Sequence, residues 1–195
     1  MIVGFVLAVM AGIAVSVALF QRLYRFRSRG PEHVIPYLRA GGSEELDSLV
    51  DSREELYLSL NLDHEQFVKT QINRIHLTRE KLRRRGHNAV IFQEWADYEL
   101  ERSRQTRNPE TEATAEKLFN LCAQFRMAAF WIEGQLTLWQ IKLLVLPRAK
   151  APQISRLRKI DSFDLLEAYQ QIRQTAAELA LAYGGDFRER LQSAL

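Results

Sequence analysis

Residues 118–146 read LFNLCAQFRMAAFWIEGQLTLWQIKLLVL, and this stretch decides the predicted fold. Apolar residues recur in it at alternating spacings of four and three, which is the rhythm of a helix that packs along one side. This set is named the inner seam: Leu118, Cys122, Phe125, Ala129, Ile132, Leu136, Trp139, Leu143 and Leu146. Asn108 and Pro109 supply a helix start upstream, and Pro147 supplies a stop. The pattern predicts one uninterrupted helix between those signals.

A second apolar set lies on the opposite side of the same predicted helix. It is named the outer stripe and comprises Met127, Trp131, Gly134, Leu138, Ile141 and Val145. It repeats the rhythm of the inner seam about 200° around the helix axis. A helix that is apolar on two opposite sides is typical of the centre of a bundle. We therefore expect both faces to be buried, with Arg126 and Glu133 paired to neighbouring helices.

The stretch from Met127 to Leu146 also raises the alternative of a membrane span. Glu133 and Lys142 lie inside it. Each charge near the centre of a span costs roughly 2.5–3.5 kcal/mol on insertion. These charges favour a core helix over a membrane helix at this place.

The rest of the body is predicted to be helical as well. Glycine and proline divide residues 30–195 into a few long segments, and no stretch alternates polar and apolar residues for long enough to predict a strand. One helix is predicted to end at Gly86 and the next to begin at Asn88. The last long helix begins at Asp161 or Ser162. The predicted fold class is all-α: a single N-terminal transmembrane helix followed by an antiparallel helical bundle of about four long helices.

The amino-terminal segment has the features of a membrane anchor. Ile2 to Phe20 is an uncharged run of 19 residues. As a helix it would span about 28 Å, close to the hydrocarbon thickness of a bilayer. Four arginines follow at once, at Arg22, Arg25, Arg27 and Arg29. The excess of positive charge after the span predicts a single-pass membrane protein whose C-terminal domain is cytoplasmic, with these arginines at the lipid headgroups.

Three regions follow from this division: residues 1–21 as the transmembrane anchor, residues 22–42 as a basic juxtamembrane arm and linker, and residues 43–195 as the helical bundle domain. Within the anchor, small residues recur every four positions, at Gly4, Ala8, Gly12 and Ser16. Such a ridge lets two membrane helices approach closely, and it predicts self-association or packing on another membrane helix. The alternative is a signal peptide cleaved after Ala18, which would release a secreted helical domain. The missing basic residues before the run disfavour it.

Charge and cysteine content exclude several classes of protein. The chain has 27 basic and 24 acidic residues. With the four arginines of residues 22–29 set aside, the remaining 23 basic and 24 acidic residues leave residues 30–195 at −1. A neutral body lacks the basic footprint of a nucleic-acid-binding protein, so no nucleic-acid partner is predicted. A single cysteine, Cys122, excludes an intrachain disulfide, and its place on the inner seam predicts a structural role.

The sequence carries no motif for catalysis or for cofactor binding. No Glu-x-x-His pair, phosphate-binding glycine loop or nucleophile elbow is present. His76 and Glu80 lie one turn apart, but they lack the further ligands that a metal ion needs. We therefore predict no catalytic, cofactor-binding or metal-ligating residues and no cofactor.

The functional prediction is a membrane-anchored, non-enzymatic helical interaction module, that is, a scaffold or an accessory subunit of a membrane-associated complex. Expected partners are the membrane and a protein, or a second copy bound through the transmembrane helix. Lys81, Arg83, Arg84 and Arg85 form a possible patch for anionic surfaces, and the region from Trp95 to Arg107 is a second candidate surface. One alternative is a ligand-binding or enzymatic bundle at the membrane surface with a polar site around Arg126 and Glu133.

Overall fold

Two long antiparallel helices form the frame of the molecule. The computed structural model describes residues 30–39, 49, 51–145, 159–160 and 163–194. The helices are α1 (Ser52–Asn61), α2 (His64–Thr106), α3 (Pro109–Val145), α4 (Leu165–Ala180) and α5 (Gly185–Ser193). The smaller elements are three 3-10 turns (Pro31–His33, Ile35–Tyr37, Leu181–Tyr183) and an antiparallel strand pair, β1 (Lys159–Ile160) with β2 (Phe163–Asp164). The predicted all-α bundle is confirmed.

Side-chain caps separate α1 from α2. The carboxylate of Asp51 accepts a hydrogen bond from the backbone N–H of Arg53 at 2.9 Å and caps α1. The carboxylate of Asp63 accepts one from the backbone N–H of Gln66 at 2.8 Å and caps α2. The capping-box spacing of Asp63 and Gln66 predicts either a restart or a kink here. Leu62, between the two caps, is extended, so the helix stops and restarts.

Helix α2 corrects the prediction that a helix ends at Gly86. It runs for 43 residues and passes through Gly86 without a break. A glycine inside a helix costs about 1 kcal/mol relative to alanine. Leu82, Arg85 and Ala89 are buried on both sides of it, and a break would forfeit that packing. Within the described residues there are therefore two helices of 43 and 37 residues and one of 16, rather than four long ones.

A tight turn reverses the chain between α2 and α3. Arg107 adopts a left-handed conformation, with φ of 54°, and ends α2. The side chain of Asn108 accepts a hydrogen bond from the backbone N–H of Thr111 at 3.3 Å, and Pro109 is the first residue of α3. This is the start that the sequence predicts. The turn makes α2 and α3 an antiparallel hairpin.

The core lies where the inner seam of α3 packs against α2 and α4. The seam residues that are buried are Leu118, Cys122, Phe125, Ala129, Ile132, Leu136 and Leu143. Trp139 is partly buried against the same core, and Leu146 lies outside the described residues. The rings of Phe125 and Tyr169 lie 5.4 Å apart between centroids and join α3 to α4. The burial of the inner seam is confirmed.

Helices α4 and α5 close the carboxyl-terminal end of the core. The cap of α4 is Asp164, whose carboxylate accepts a hydrogen bond from the backbone N–H of Leu166 at 3.0 Å. The predicted caps, Asp161 and Ser162, lie outside the described residues. Gly184 has a φ of 97°, a conformation that favours glycine, and it separates the turn Leu181–Tyr183 from α5. Phe187 and Leu191 of α5 are buried in the same hydrophobic core.

Candidate functional site

Helix α3 presents an exposed apolar face to solvent. The five large side chains of the outer stripe are 52–70% exposed, and Phe130 beside them is 48% exposed. Gly134 is exposed in the middle of the stripe. The prediction that this face is buried is wrong for the described part of the chain, because α2 and α4 both pack on the inner side of α3. Helix α3 is therefore a wall of the bundle rather than its centre.

The surface of α3 around the outer stripe carries little charge. Between Leu118 and Val145 the charged residues of α3 are Arg126, Glu133 and Lys142. Arg126 and Glu133 are partly buried and hydrogen-bonded to α2, so Lys142 is the charged residue of this stretch that is exposed. A solvent-facing helix surface is normally polar over this length. The face has the composition of a contact surface.

The partners of Arg126 and Glu133 lie on α2, as predicted. A guanidinium nitrogen of Arg126 donates to Oε1 of Gln93 at 2.6 Å. Nε of Arg83 donates to Oε1 of Glu133 at 3.0 Å. Arg126 and Glu133 themselves line neither of the two surface grooves found on the described residues. The two bonds connect α3 to α2, as expected for charged residues on a packed helix.

The same polar row continues one heptad further along α3 at Gln140. A guanidinium nitrogen of Arg79 donates to Oε1 of Gln140 at 2.9 Å. Nε2 of His76 lies 3.3 Å from Nε2 of Gln140. Each step toward the carboxyl end of α3 is matched by a step toward the amino end of α2. The row therefore fixes the register of the antiparallel hairpin and the direction in which the outer stripe faces.

The predicted anionic-surface patch is divided by the fold. Arg85 is buried, and its guanidinium carbon lies 5.1 Å from the centroid of the Tyr169 ring. Arg83 is bound to Glu133, and Arg84 donates to Glu80 of its own helix at 2.5 Å. Lys81 is partly buried and also has an interaction partner. The cluster presents less free positive charge than the sequence indicates.

A shallow groove lies beside that cluster on α2 and the amino-terminal arm. Its volume is about 550 Å³, and it is lined by Arg39, His76, Leu77, Arg79, Glu80, Arg83 and Arg84. Arg79, Arg83 and Arg84 each donate to a side chain of the protein, so an anion would have to displace those bonds. The groove is a weaker candidate than the outer stripe for this reason.

A buried carboxylate corrects the expectation for the end of α2. Glu99 is 2% exposed, although the charged sequence from Glu99 to Arg107 predicts an end that reaches into solvent. Its Oε1 accepts hydrogen bonds from Nε1 of Trp95 at 3.2 Å and from the hydroxyl of Tyr183. Burial and the bond to this carboxylate raise the pKa of the Tyr183 hydroxyl, because both oppose its ionisation. The cluster attaches the end of α4 to α2, so this side of the Trp95 to Arg107 region is internal.

Asn88 joins three segments that are far apart in the sequence. Its side-chain oxygen accepts from the backbone N–H of Arg39 at 2.9 Å, and its nitrogen donates to the backbone oxygen of Arg39 at 2.8 Å. The same nitrogen lies 3.1 Å from the hydroxyl of Tyr169. The contacts attach Arg39, at the end of the described segment 30–39, to α2 and α4. The sequence does not reveal this role of Asn88, because asparagine after a glycine equally fits a helix cap and its partners are far away in the chain.

Cys122 lies in the core at the contact of α3 with its neighbours. It is fully buried, and burial raises the pKa of its thiol above the ordinary value. A neutral, inaccessible thiol is a poor nucleophile. These properties fit the structural role that its position on the inner seam predicts.

The anchor and headgroup residues of the sequence prediction lie outside the described residues. They are Gly4, Ala8, Gly12 and Ser16 of the small-residue ridge and Arg22, Arg25, Arg27 and Arg29 of the basic arm. Both boundaries of the arm, at residues 21 and 42, also lie outside. Membrane insertion, headgroup contact and packing through the ridge therefore stay predictions.

The part of the chain that the structure describes contains neither a candidate membrane span nor a candidate metal site. No helix in it is long and apolar enough to cross a membrane, and that includes α3. No group of three or more His, Cys, Asp or Glu side chains in the same residues is arranged to hold a metal ion. The prediction that the protein uses no metal or cofactor stays a prediction.

Comparison with known proteins returned no relative: no family model, no curated protein and no solved structure matches this chain. The chain's own surfaces are therefore what indicates its function. Among them, the outer stripe has the strongest claim, because it combines apolar side chains, exposure and a rigid backbone. The stripe itself is visible in the sequence. The sequence signal that could have identified it as a contact surface is Gly134, which has no side chain and lies in the middle of large apolar residues.

Proposed function

We propose that this protein is a membrane-anchored, non-enzymatic helical interaction module, a scaffold or accessory subunit that presents the outer face of α3 to a protein partner. The observation that carries the proposal is the outer stripe. Leaving large apolar side chains in water is unfavourable by roughly 25 cal/mol per Å². A face of this size on a single helix is typical of an interaction site.

The rest of the bundle supports this role by holding the stripe in place. Helix α3 is fixed on its inner side by a continuous core and along its edge by the polar row to α2. A rigid face loses little conformational entropy on binding. The surface is therefore prepared for association without rearrangement of the fold.

The membrane half of the proposal rests on the sequence of residues 1–29. The uncharged run from Ile2 to Phe20 and the four arginines behind it favour a single-pass anchor with the bundle in the cytoplasm. An anchored module meets its partners in two dimensions, so a moderate contact area is enough for association.

Alkaline carbonate extraction tests the anchor. The full chain should stay in the membrane pellet, and a version that begins at Gly30 should move to the supernatant. A reporter at the carboxyl end should score as cytoplasmic. Release of the full chain by carbonate, or a reporter on the other side of the membrane, contradicts this half of the proposal.

Affinity capture in mild detergent tests the interaction role. The tagged full chain is compared with Leu138→Glu on the outer stripe and with Leu60→Glu on α1, since Leu138 and Leu60 are both strongly exposed leucines. We expect Leu138→Glu to lose its protein partner and Leu60→Glu to keep it. Equal capture by all three proteins contradicts a role for this face.

A further inference from the structure

The outer stripe is large enough to be one half of a stable interface. Six large apolar side chains, each about half exposed or more, present roughly 600–700 Å² at ~200 Å² for a whole side chain. They are the adjacent Phe130 and five residues of the outer stripe: Met127, Trp131, Leu138, Ile141 and Val145. A standard interface buries about 800 Å² on each partner, whereas the largest apolar patch of a typical monomer is about 300–600 Å².

We propose that the partner on this face is a second copy of the chain, with the two α3 helices packed antiparallel around a two-fold axis at the level of Leu136. The inference rests on the proposed function, because it names the partner of the same surface.

The spacing of the stripe is symmetric about that axis. Its steps of four, three, four, three and four residues read the same in both directions. An antiparallel second copy therefore places Met127 opposite Val145, Trp131 opposite Ile141 and Gly134 opposite Leu138. An interface around a two-fold axis must be self-complementary in this way.

Gly134, which has no side chain, leaves the space that such a contact needs. A Cβ atom placed on it would meet nothing within 4 Å, so no packing within the described chain requires a glycine there. Glycine weakens an exposed helix relative to alanine. Opposite Leu138 of a second copy it leaves room for the leucine and lets the two helices approach closely, as small residues do where helices cross.

The one exposed charge of this stretch agrees with an antiparallel arrangement. Around the proposed axis the two copies of Lys142 lie about 18 Å apart along the helices, at 1.5 Å per residue. A parallel pair would place them side by side. A single cation also gives little attraction to anionic lipid, which amphipathic helices at membranes obtain from several lysines or arginines. The charge pattern thus favours a protein partner over the bilayer.

The first experiment measures the mass of the full chain in a mild detergent as a function of its concentration. We expect a dimer, and we expect Leu138→Glu to raise the dissociation constant at least 100-fold. Leu60→Glu on α1 is the matched control and should leave the constant within about threefold. A monomer at all concentrations, or a dimer that Leu138→Glu leaves intact, overturns the proposal.

Disulfide crosslinking in the membrane tests the direction of the helices. Met127→Cys and Val145→Cys are made in chains with different tags, and the native Cys122 is buried and inaccessible. An antiparallel pair should crosslink Met127→Cys to Val145→Cys when the two chains are mixed. Chains that carry the same substitution should crosslink at most one tenth as well, because those positions lie about 27 Å apart along the axis. Preferential crosslinking between identical substitutions overturns the antiparallel arrangement.

The same preparations identify another occupant of the face. A crosslink within a single chain between Leu138→Cys and Ala8→Cys would show that residues 2–20 cover the stripe. Quenching of a fluorophore at Leu138→Cys by brominated lipid would show that the bilayer covers it. Either result overturns the contact between copies.

Carbonate extraction of the same membranes separates this inference from the proposed function. A monomer that stays in the membrane and loses a different protein partner through Leu138→Glu overturns the dimer alone. A chain that carbonate releases overturns the anchored module as well.

Discussion

The inner seam and the outer stripe of α3 have the same periodicity and nearly the same composition, but the fold treats them in opposite ways. Phe125 on the inner seam is fully buried, and Trp131 on the outer stripe is 57% exposed. The difference arises because only the inner side of α3 faces α2 and α4. Apolar periodicity therefore shows which faces of a helix prefer burial, and it does not show which of them the same chain can cover.

Removing a large side chain from each face should give the sharpest contrast. Phe125→Ala leaves a cavity in the core and should lower the free energy of unfolding by about 3–5 kcal/mol. Trp131→Ala, on the exposed face, should lower the free energy of unfolding of the monomer by less than about 1 kcal/mol. Denaturant titration at a concentration where the chain is monomeric measures both. A loss above about 2 kcal/mol for Trp131→Ala would mean that a segment of the same chain covers the stripe.

The same contrast applies to charged groups. Glu99→Leu leaves the donors of Trp95 and Tyr183 without an acceptor and should lower the free energy of unfolding by about 3 kcal/mol. Glu133→Leu breaks the bond to Arg83, a largely exposed arginine, and should cost at most about 1 kcal/mol. Thermal or chemical melting compares the two. Equal losses would contradict the internal position of Glu99.

Replacing a glycine by alanine in α2 and in α3 separates an effect on stability from an effect on association. A Cβ at Gly86 of α2 or at Gly134 of α3 meets nothing within 4 Å. Both Gly86→Ala and Gly134→Ala should therefore raise the free energy of unfolding of the monomer by about 0.5–1 kcal/mol. Only Gly134→Ala should also weaken self-association, because only that position lies on the proposed contact. Sedimentation equilibrium in detergent would detect it, and equal effects on association would count against the contact.

Alkaline pH should lower the free energy of unfolding, because Tyr169 is buried. Burial raises the pKa of the Tyr169 hydroxyl from its ordinary value of 10.0, so the native state keeps a proton that the unfolded chain releases. The stabilisation is complete below about pH 10 and falls as the pH rises toward the native pKa, by at most about 1.4 kcal/mol per pH unit. Tyr169→Phe should reduce this slope while costing about 1 kcal/mol for the bond with Asn88. A pH profile that Tyr169→Phe leaves unchanged would assign the effect to other groups.

Local signals in the sequence determined much of the architecture. The Asp63 and Asn108 caps, the uninterrupted run of α3 and the burial of the inner seam are all confirmed, because each depends on residues within a few turns of one another. The sequence also predicts that Arg126 and Glu133 have partners on neighbouring helices, since charges on a packed helix must be paired. The structure supplies Gln93 and Arg83.

Tertiary structure decided what local signals could not. The cost of a glycine within a helix is small compared with the packing around it, so α2 continues through Gly86. Burial of Arg85 and Glu99 depends on Tyr169 and Tyr183, which are about 80 residues away in the chain. Among the described residues, the outer stripe is exposed because α2 and α4 both pack on the inner side of α3. The sequence by itself determined that α3 has two apolar faces, and only the packing of α2 and α4 determined that one of them remains on the surface.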